Sequence, residues 1–238
     1  NKTLDNIDPY PYERAHTRLV AMYGDESNAL KKFKSEVDNH PDNPLGHYGY
    51  GLILTKKGER KKAEEHLKKA LAKNAFDPYI LKDLGHLYFL EGRYQEAFTI
   101  LDGAASINSN DPEILFYLGR TQVELGRLMD AVATFEGLTS KYQNYPDAFR
   151  SLSETYWKLG KMDDYHYYLG IYYVKLSNYR NADFHLKKAL DSTIDLDKKT
   201  KIEALLKEIG TEMRKSKKED RDKASKNWGM KFTDTRQQ

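Results

Sequence analysis

The sequence predicts an all-α protein, a right-handed α-solenoid of antiparallel helix pairs, and three sets of residues carry this prediction. Each set recurs with one period of 34 residues. The sets are five glycines (Gly24, Gly58, Gly92, Gly126, Gly160), four prolines (Pro44, Pro78, Pro112, Pro146) and four alanines (Ala29, Ala63, Ala97, Ala131). A fixed period of this length is typical of stacked helix–turn–helix units. Such a stack is a scaffold, so the sequence indicates a binding function without naming the partner.

The unit 44–77 shows why each repeat predicts two helices. Pro44 suits the first turn of a helix, where its missing N–H has no partner to lose. Gly58 stands where the first helix must end and the chain reverse, because glycine tolerates the left-handed conformation found there. The second helix carries an apolar stripe with the 3–4 spacing of a helix: Ala63, Leu67, Ala70 and Leu71.

The same pattern divides residues 1–210 into about five to six units plus a C-terminal capping helix. The expected bounds are 10–43, 44–77, 78–111, 112–145, 146–176 and 163–195, with the cap at 196–215. Unit 10–43 is expected to be an atypical opening cap, because Thr17 stands where other units have a small residue. The last two units overlap, because Tyr165 replaces the expected alanine and the pattern resumes half a period later. One helix is therefore expected to serve both units.

Residues 211–238 are predicted to form a charged tail. They hold 9 Lys/Arg and 5 Asp/Glu, whereas residues 1–210 hold 30 and 31. The charge run at 215–226 indicates a fraying extension of the last helix or a flexible tail. Trp228, Met230 and Phe232 follow closely, which suggests docking onto a surface, with a plain continuation of the helix as the alternative.

The repeats resemble the tetratricopeptide repeat family. That family has a small residue at the eighth position of each unit, matched here by Gly51, Gly85, Gly119 and Ser153. Its alanine at the twentieth position is matched by the alanine series. The resemblance covers roughly residues 10–195, and it implies a peptide-binding or protein-binding scaffold. Small residues at these positions let paired helices approach closely, whereas larger ones would overpack the interface.

The resemblance also implies that the first helix of each pair lines a concave groove. Aromatic residues and arginines are enriched at binding hot spots, so a groove of this kind would suit an extended or helical peptide with some acidic groups. An alternative is that half of these aromatic residues pack between repeats. The candidate groove residues are Tyr48, Leu52, Tyr79, Lys82, His86, Phe89, Phe116, Tyr117, Arg120, Arg150, Glu154, Trp157 and Tyr167.

Binding of chaperone tails is not expected. The members of the family that bind such tails grip the terminal carboxylate with a Lys and an Asn one helical turn apart. The matching positions are Tyr48 and Leu52 in one unit and Lys82 and His86 in the next. Only the lysine is kept, so the sequence argues against this ligand.

Both ends of the array are similar to a second family. Residues 8–19, DPYPYERAHTRL, resemble the HP-x-x-x-x-R stretch that follows the catalytic domain of gluzincin-type HExxH zinc metalloproteases with tetratricopeptide tails, although Asp8 replaces the usual His. Residues 164–190 are similar to the end of those proteins. The resemblance implies the non-catalytic, substrate-recruiting or regulatory half of a periplasmic enzyme involved in outer-membrane protein assembly. A chain that starts at Asn1 fits the expectation of a piece of a longer protein; without this resemblance, the cytoplasm is the expected location.

Catalytic, metal and cofactor sites are not predicted. There are no cysteines, which excludes disulfides and thiolate chemistry. The seven histidines include no pair at i, i+4, and HExxH and phosphate-binding glycine loops are absent. The adjacent carboxylates Asp163–Asp164 and Glu64–Glu65 are expected to be solvated charge. No apolar run approaches the length of a membrane span.

The expected partner is therefore a protein or peptide, with no small-molecule substrate and no cofactor. Nucleic acid is an unlikely ligand, because the net charge is only +3 and dedicated binders usually show a basic face. RNA binding through the basic tail is kept as an alternative, as is self-association through an uncapped face or the tail.

Overall fold

The computed structural model describes the backbone of residues 8–233, and side chains for residues 8–215 and 217–219. Over these residues the fold is all-helical without strands, and the predicted fold class is confirmed. The helices are α1 (Tyr10–Tyr23), α2 (Glu26–Asn39), α3 (Pro44–Lys56), α4 (Arg60–Leu71), α5 (Pro78–Leu90), α6 (Tyr94–Ile107), α7 (Pro112–Glu124), α8 (Leu128–Lys141), α9 (Pro146–Lys158), α10 (Met162–Lys175), α11 (Tyr179–Ser192) and α12 (Leu196–Thr233).

The four periodic prolines begin helices, as the sequence predicts. Each is the first residue of its helix, in α3, α5, α7 and α9. Asn43, Asp77 and Asp111 precede the first three of these prolines, and their side chains accept hydrogen bonds from backbone N–H groups of the first turn. A cap of this kind is worth about 1 kcal/mol. Asn/Asp-Pro is thus the signal that starts these three helices.

Four of the five periodic glycines end helices. Gly58, Gly92, Gly126 and Gly160 have φ of 76, 74, 73 and 73°. At the first of these ends, Gly58 N–H donates to Thr55 O at 3.1 Å and Glu59 N–H donates to Leu54 O at 2.9 Å. This pair of bonds is the Schellman motif, which satisfies the last carbonyls of a helix. Gly24 differs, because its φ of −72° does not require glycine.

A fifth helix end has the same motif without a glycine. Ser177 has φ 55° and is the only non-glycine residue with positive φ in the described part of the chain. Its N–H donates to Val174 O at 2.9 Å, and Asn178 N–H donates to Tyr173 O at 2.9 Å. Ser177 lies half a period after Gly160, which is the shift that the sequence shows in its last units.

Small residues allow the paired helices to approach. A Cβ added at Gly85 would lie 2.6 Å from Leu101 Cγ, and one at Gly170 would lie 2.7 Å from Leu186 Cγ. The alanine of the second helix is fully buried as well, at 0% exposure for Ala97. These contacts join α5 to α6 and α10 to α11, which pack closely along their lengths.

The chain divides into two compact bodies, one up to Thr134 and one from Phe135. In the C-terminal body, α10 packs against both α9 and α11, and α12 packs on α11. Ile202 and Ile209 of α12 are buried there. The last helix continues to Thr233, well past the expected end of the cap at 215. The possible docking of Trp228, Met230 and Phe232 concerns side chains outside the described part.

Among the described helices, none combines the length and the apolar composition needed to cross a membrane.

Candidate peptide-binding surfaces

Three of the candidate groove residues belong to the interior of the N-terminal body. Tyr48, Leu52 and Lys82 are 0%, 3% and 1% exposed. They lie on α3 and α5, the first helices of their pairs. We call the surface formed by α3, α5 and α7 the first-helix face. Because α3 contacts α1, α2, α4 and α5, these side chains offer no surface to a ligand in this conformation.

The buried lysine is already paired. Lys82 Nζ contacts the carboxylate of Glu113 and lies 3.8 Å from Asp83 Oδ1. Tyr48 Oη donates to Asp83 Oδ2 at 2.5 Å, and burial together with this carboxylate raises the pKa of Tyr48. Lys82 is thus neutralised from within the fold. Its role in attracting acidic groups of a ligand stays a prediction, and in this conformation Lys82 is only 1% exposed.

Several aromatic candidates of this body are packed rather than open to solvent. The rings of His86 and Tyr117 are stacked with centroids 4.1 Å apart, and both are half-buried. Burial lowers the pKa of His86 and raises that of Tyr117, so both remain uncharged near neutral pH. Phe89 and Phe116 are 9% and 8% exposed. Most of these rings therefore pack within the array, as the alternative reading of the sequence allows.

Arg120 is an exposed cation of this face. Its guanidinium lies 4.6 Å from the centroid of the Phe89 ring and 5.8 Å from that of Phe116. A cation over an aromatic face is held by about 0.5–1 kcal/mol at an exposed site. Arg120 is therefore oriented on the surface while its charge stays open to solvent.

Helix α1 lies against the first-helix face. Arg14 Nη1 is 2.9 Å from Asp77 Oδ2, and its guanidinium lies 3.9 Å from the centroid of the Tyr79 ring. Arg18 Nη2 is 2.8 Å from Glu113 Oε2, and its Nε is 3.4 Å from Asp83 Oδ2. These contacts reach from α1 to the start of α5, the middle of α5 and the start of α7.

The remaining candidates lie in the C-terminal body. Arg150, Glu154 and Trp157 form an exposed stripe on α9, with Trp157 58% exposed. Arg150 is 3.8 Å from Glu154 and 3.7 Å from Asp147. Exposed ion pairs of this kind contribute little, so both charges remain available to a ligand.

A cleft of about 770 Å³ opens in the C-terminal body, and Tyr167 lines it. Its walls come from the end of α8, the start of α9, α10 and α12. Half of the lining residues are aromatic or aliphatic, and the polar ones include two glutamates and two lysines. The principal lining residues are Glu136, Phe149, Tyr167, Tyr168, Ile171, Val174, Lys175, Lys201, Leu205 and Glu208.

One wall of the cleft is fixed by tyrosines. Tyr156 Oη donates to Glu136 Oε1 at 2.6 Å, and Tyr168 Oη donates to the same oxygen at 3.4 Å. The two tyrosine rings are stacked with centroids 5.5 Å apart and planes 5° apart. Burial and Glu136 raise the pKa of both hydroxyls. The tyrosines thus stay protonated and hold the Glu136 side of the cleft in place.

Sequence reasoning missed the groups that anchor α1 and α12. The sequence suggests that Asp163 and Asp164 are solvated, but both form ion pairs with α12. Lys198 Nζ lies 3.0 Å from Asp163 Oδ2 and 2.5 Å from Asp164 Oδ1. Glu64 also has partners, because Arg93 lies 2.7 Å away and lowers its pKa to about 2. These pairs join residues far apart in the chain, and the 34-residue pattern contains no signal for them. The i, i+4 spacing of Arg14 and Arg18 is the one sequence signal for the contacts of α1 with α5 and α7.

Two histidine pairs recur in the same register. His47 Nδ1 is 2.8 Å from His66 Nδ1, and His166 Nδ1 is 2.9 Å from His185 Nδ1. Each pair is separated by 19 residues and joins the two helices of one unit, so the repeated spacing could have revealed it. In each pair the two Nδ1 atoms lie within hydrogen-bond distance of each other. No group of three or more metal-ligating side chains occurs in the described residues.

Comparison with known families and structures supports the repeat assignment. Two family models described as tetratricopeptide repeat match, one over residues 24–78 and 56–112 and the other over 88–154. Together they span 24–154, more than half of the 238 residues. The comparison with curated proteins found no match.

Several solved structures have the same fold. One of MamA (MSR-1) is 20% identical with a TM-score of 0.59, covering 72% of this chain and 99% of that chain. One of MamA (AMB-1) is 21% identical with a TM-score of 0.56, covering 68% and 95%. YrrB, described as a TPR protein with an unusual peptide-binding site, is 22% identical with a TM-score of 0.59, covering 76% and 92%.

At these identities the solved structures indicate the fold alone. None of the comparisons addresses the resemblance to metalloprotease tails, which stays a prediction together with the periplasmic location. The tail that would carry RNA binding consists mostly of side chains outside the described part. What the repeat pattern, the helix pairs and the family matches establish together is that the chain belongs to the tetratricopeptide repeat family.

Proposed function

We propose that the protein is a non-catalytic scaffold that binds a segment of another protein, and that the cleft of the C-terminal body is its binding site. The observation that carries this proposal is the cleft itself, with a volume of about 770 Å³ and an apolar lining. Ligand sites are typically clefts of roughly 300–1,000 Å³ with apolar walls and a few polar groups. The cleft has the size and the lining of such a site.

The shape of the lining favours a peptide. Tyr167, Ile171 and Val174 lie at i, i+4 and i+7 on α10 and all line the cleft. Seven residues of α-helix extend about 10 Å, so the apolar wall is a strip along the helix axis. A strip of this kind fits two or three anchoring side chains of an amphipathic helix, which is a recurring mode of peptide recognition.

The charges of the lining are balanced. Glu136 and Glu208 are matched in number by Lys175 and Lys201. The cleft therefore selects for apolar anchors more than for a charge of one sign, and buried anchors supply most of the energy of such interfaces. The description of YrrB as a TPR protein with an unusual peptide-binding site supports a peptide as the class of ligand.

The proposal is tested with peptides selected by phage display on the full chain. We expect Ile171→Ala to weaken the selected peptides at least tenfold, which corresponds to about 1.4 kcal/mol. The matched control is Ile194→Ala in the same body, since Ile194 is 94% exposed and does not line the cleft. Titration calorimetry gives both affinities.

Three results contradict the proposal. The first is that no peptide is selected by the wild-type chain. The second is that Ile171→Ala leaves the affinity unchanged, and the third is that both variants weaken it equally. Trp157→Ala and Arg120→Ala then decide whether the exposed residues of the predicted groove bind the peptide instead.

A further inference from the structure

Helix α1 is not a regular partner of α2. It packs more extensively on α3 than on α2, whereas α3 and α5 pair closely with the helices that follow them. An opening of about 240 Å³ separates α1 from α2, lined by His16, Thr17 and Phe33 among others. A second opening of about 400 Å³ lies beside Tyr10 and Arg14. α1 is thus seated on the first-helix face with gaps on both sides.

Helix α1 is held by a small apolar contact area together with charged contacts. Only Thr17 and Ala21 of this helix are buried, whereas Tyr12, Leu19 and Tyr23 are 75%, 58% and 74% exposed. Val20 and Met22 are partly buried and pack on the same core, so α1 also has an apolar contribution, which scales with the apolar area removed from water. Arg14 and Arg18 add the charged contacts that reach α5 and α7.

The charged groups that α1 contacts directly would carry an excess of negative charge without it. Six charged groups make the direct contacts: the cations Arg14, Arg18 and Lys82 and the carboxylates Asp77, Asp83 and Glu113. With α1 in place, three cations meet three carboxylates. Without α1, one lysine remains beside three carboxylates, and the net charge of the group is −2.

Two of these carboxylates are deeply buried, since the side chains of Asp77 and Asp83 are 3% and 8% exposed. Asp77 also accepts two backbone N–H groups of α5 and Asp83 also accepts from Tyr48 Oη, so the arginines add positive charge to carboxylates that already have neutral donors. Burial opposes the ionisation of Glu113, but Lys82 and Arg18 outweigh it and lower its pKa. The face is therefore preorganised for guanidinium groups, which come either from α1 or from another molecule.

We propose that α1 is an internal ligand of the first-helix face, and that this face binds a helix of another protein carrying two arginines one turn apart. Arginine fits better than lysine, because its planar fork pairs with carboxylates in two directions and stacks on an aromatic ring such as that of Tyr79. A ligand with larger apolar residues beside its arginines would gain burial that α1 lacks. This surface is separate from the cleft, and the proposal does not depend on a ligand bound there.

The test uses a fluorescein-labelled peptide of residues 8–24 and the full chain. Arg14→Ala with Arg18→Ala weakens the hold of α1, so we expect this variant to bind the peptide at least tenfold more tightly than the wild type, measured by fluorescence anisotropy. The same peptide with both arginines replaced by alanine is expected to bind at least tenfold more weakly. Arg60→Ala with Lys61→Ala is the matched control, because it removes two exposed cations from α4.

Salt dependence and a variant of one carboxylate test whether arginine–carboxylate pairs hold the peptide. Binding to the double variant is expected to weaken as NaCl rises from 50 to 500 mM, since screening shortens the reach of charges. Adding Glu113→Gln is expected to weaken it further. Equal binding of the two peptides, or equal binding by the wild type and the double variant, would overturn the proposal.

Hydrogen exchange provides a second test in case the double variant does not fold. Wild-type chain with a large excess of the peptide is expected to lose amide protection in α1 while α3 and α5 keep theirs. Unchanged amide protection in α1 together with no change in anisotropy would refute the displacement of α1 by the peptide. Ile171→Ala is expected to leave both measurements unchanged, so a failure here is distinguishable from a failure of the cleft proposal.

Discussion

Ser177 offers a sharp test of how these helices end. It occupies the position held by glycine at four other helix ends, with φ 55° against 73–76° for the glycines. The left-handed conformation costs a residue with a Cβ about 1–2 kcal/mol. Ser177→Gly removes this strain without leaving a cavity, because the side chain is exposed.

The expected gain is smaller than the strain itself. Glycine has more freedom in the unfolded chain, which offsets about 0.4–1 kcal/mol of the benefit. We therefore expect Ser177→Gly to stabilise the folded protein by about 0.5–1 kcal/mol, the difference between these two effects. For a body of about 100 residues this corresponds to a rise in Tm of about 2–8 °C.

The reverse change is the matched control. Gly160 ends a helix of the same body with φ 73°, and a Cβ added there would meet nothing within 4 Å. Gly160→Ser should therefore lower the Tm through backbone strain alone. Thermal unfolding followed by circular dichroism measures both variants. A lower Tm for Ser177→Gly, or an unchanged Tm for Gly160→Ser, would refute the reasoning.

Two further predictions concern packing and pH. Ala97→Leu is expected to destabilise the protein by about 1–3 kcal/mol through overpacking, because Ala97 is fully buried. Gly103→Ala on the same helix meets open space and is expected to stabilise the protein by about 1 kcal/mol. Urea unfolding measures both variants, and changes of the same sign, or of reversed signs, would contradict this prediction. Burial lowers the pKa of His166 and His185, so the unfolded chain binds more protons below about pH 6.5, and the free energy of unfolding should fall as the pH drops from 7.5 to 5.5. His185→Gln should reduce this fall and the exposed His40→Gln should not; an equal slope in both variants would count against the pair.

The bounds of most helices could be predicted because local chemistry sets them. Pro44 and its equivalents start helices, and Gly58 and its equivalents end them, through bonds within a few residues. A 34-residue period records these local signals once per unit. Ser177 shows the limit of the approach, because a helix end of the same geometry formed there without the glycine that marks the others.

The exposure of the first-helix residues could not be predicted in the same way. The middle of α3 is largely buried, and Tyr48 and Leu52 there are both in the core. Whether a residue of such a helix is exposed depends on what covers the helix from other parts of the chain. The seat of α1 depends on Arg14 bonding 63 residues away and on Arg18 bonding 95 residues away. Contacts at that distance leave no periodic trace.

The half-period shift helps to explain why the C-terminal body has a cleft. A second helix in a regular unit carries an alanine, as Ala97 does in α6, and buries it against its partner. At the corresponding position α10 has Tyr165, and this helix packs against both α9 and α11. With two sides of α10 occupied, Tyr167, Ile171 and Val174 extend along a third side, where α12 forms the opposite wall. The proposed binding of a peptide rests on this apolar strip, which lies on the helix at which the repeat pattern shifts.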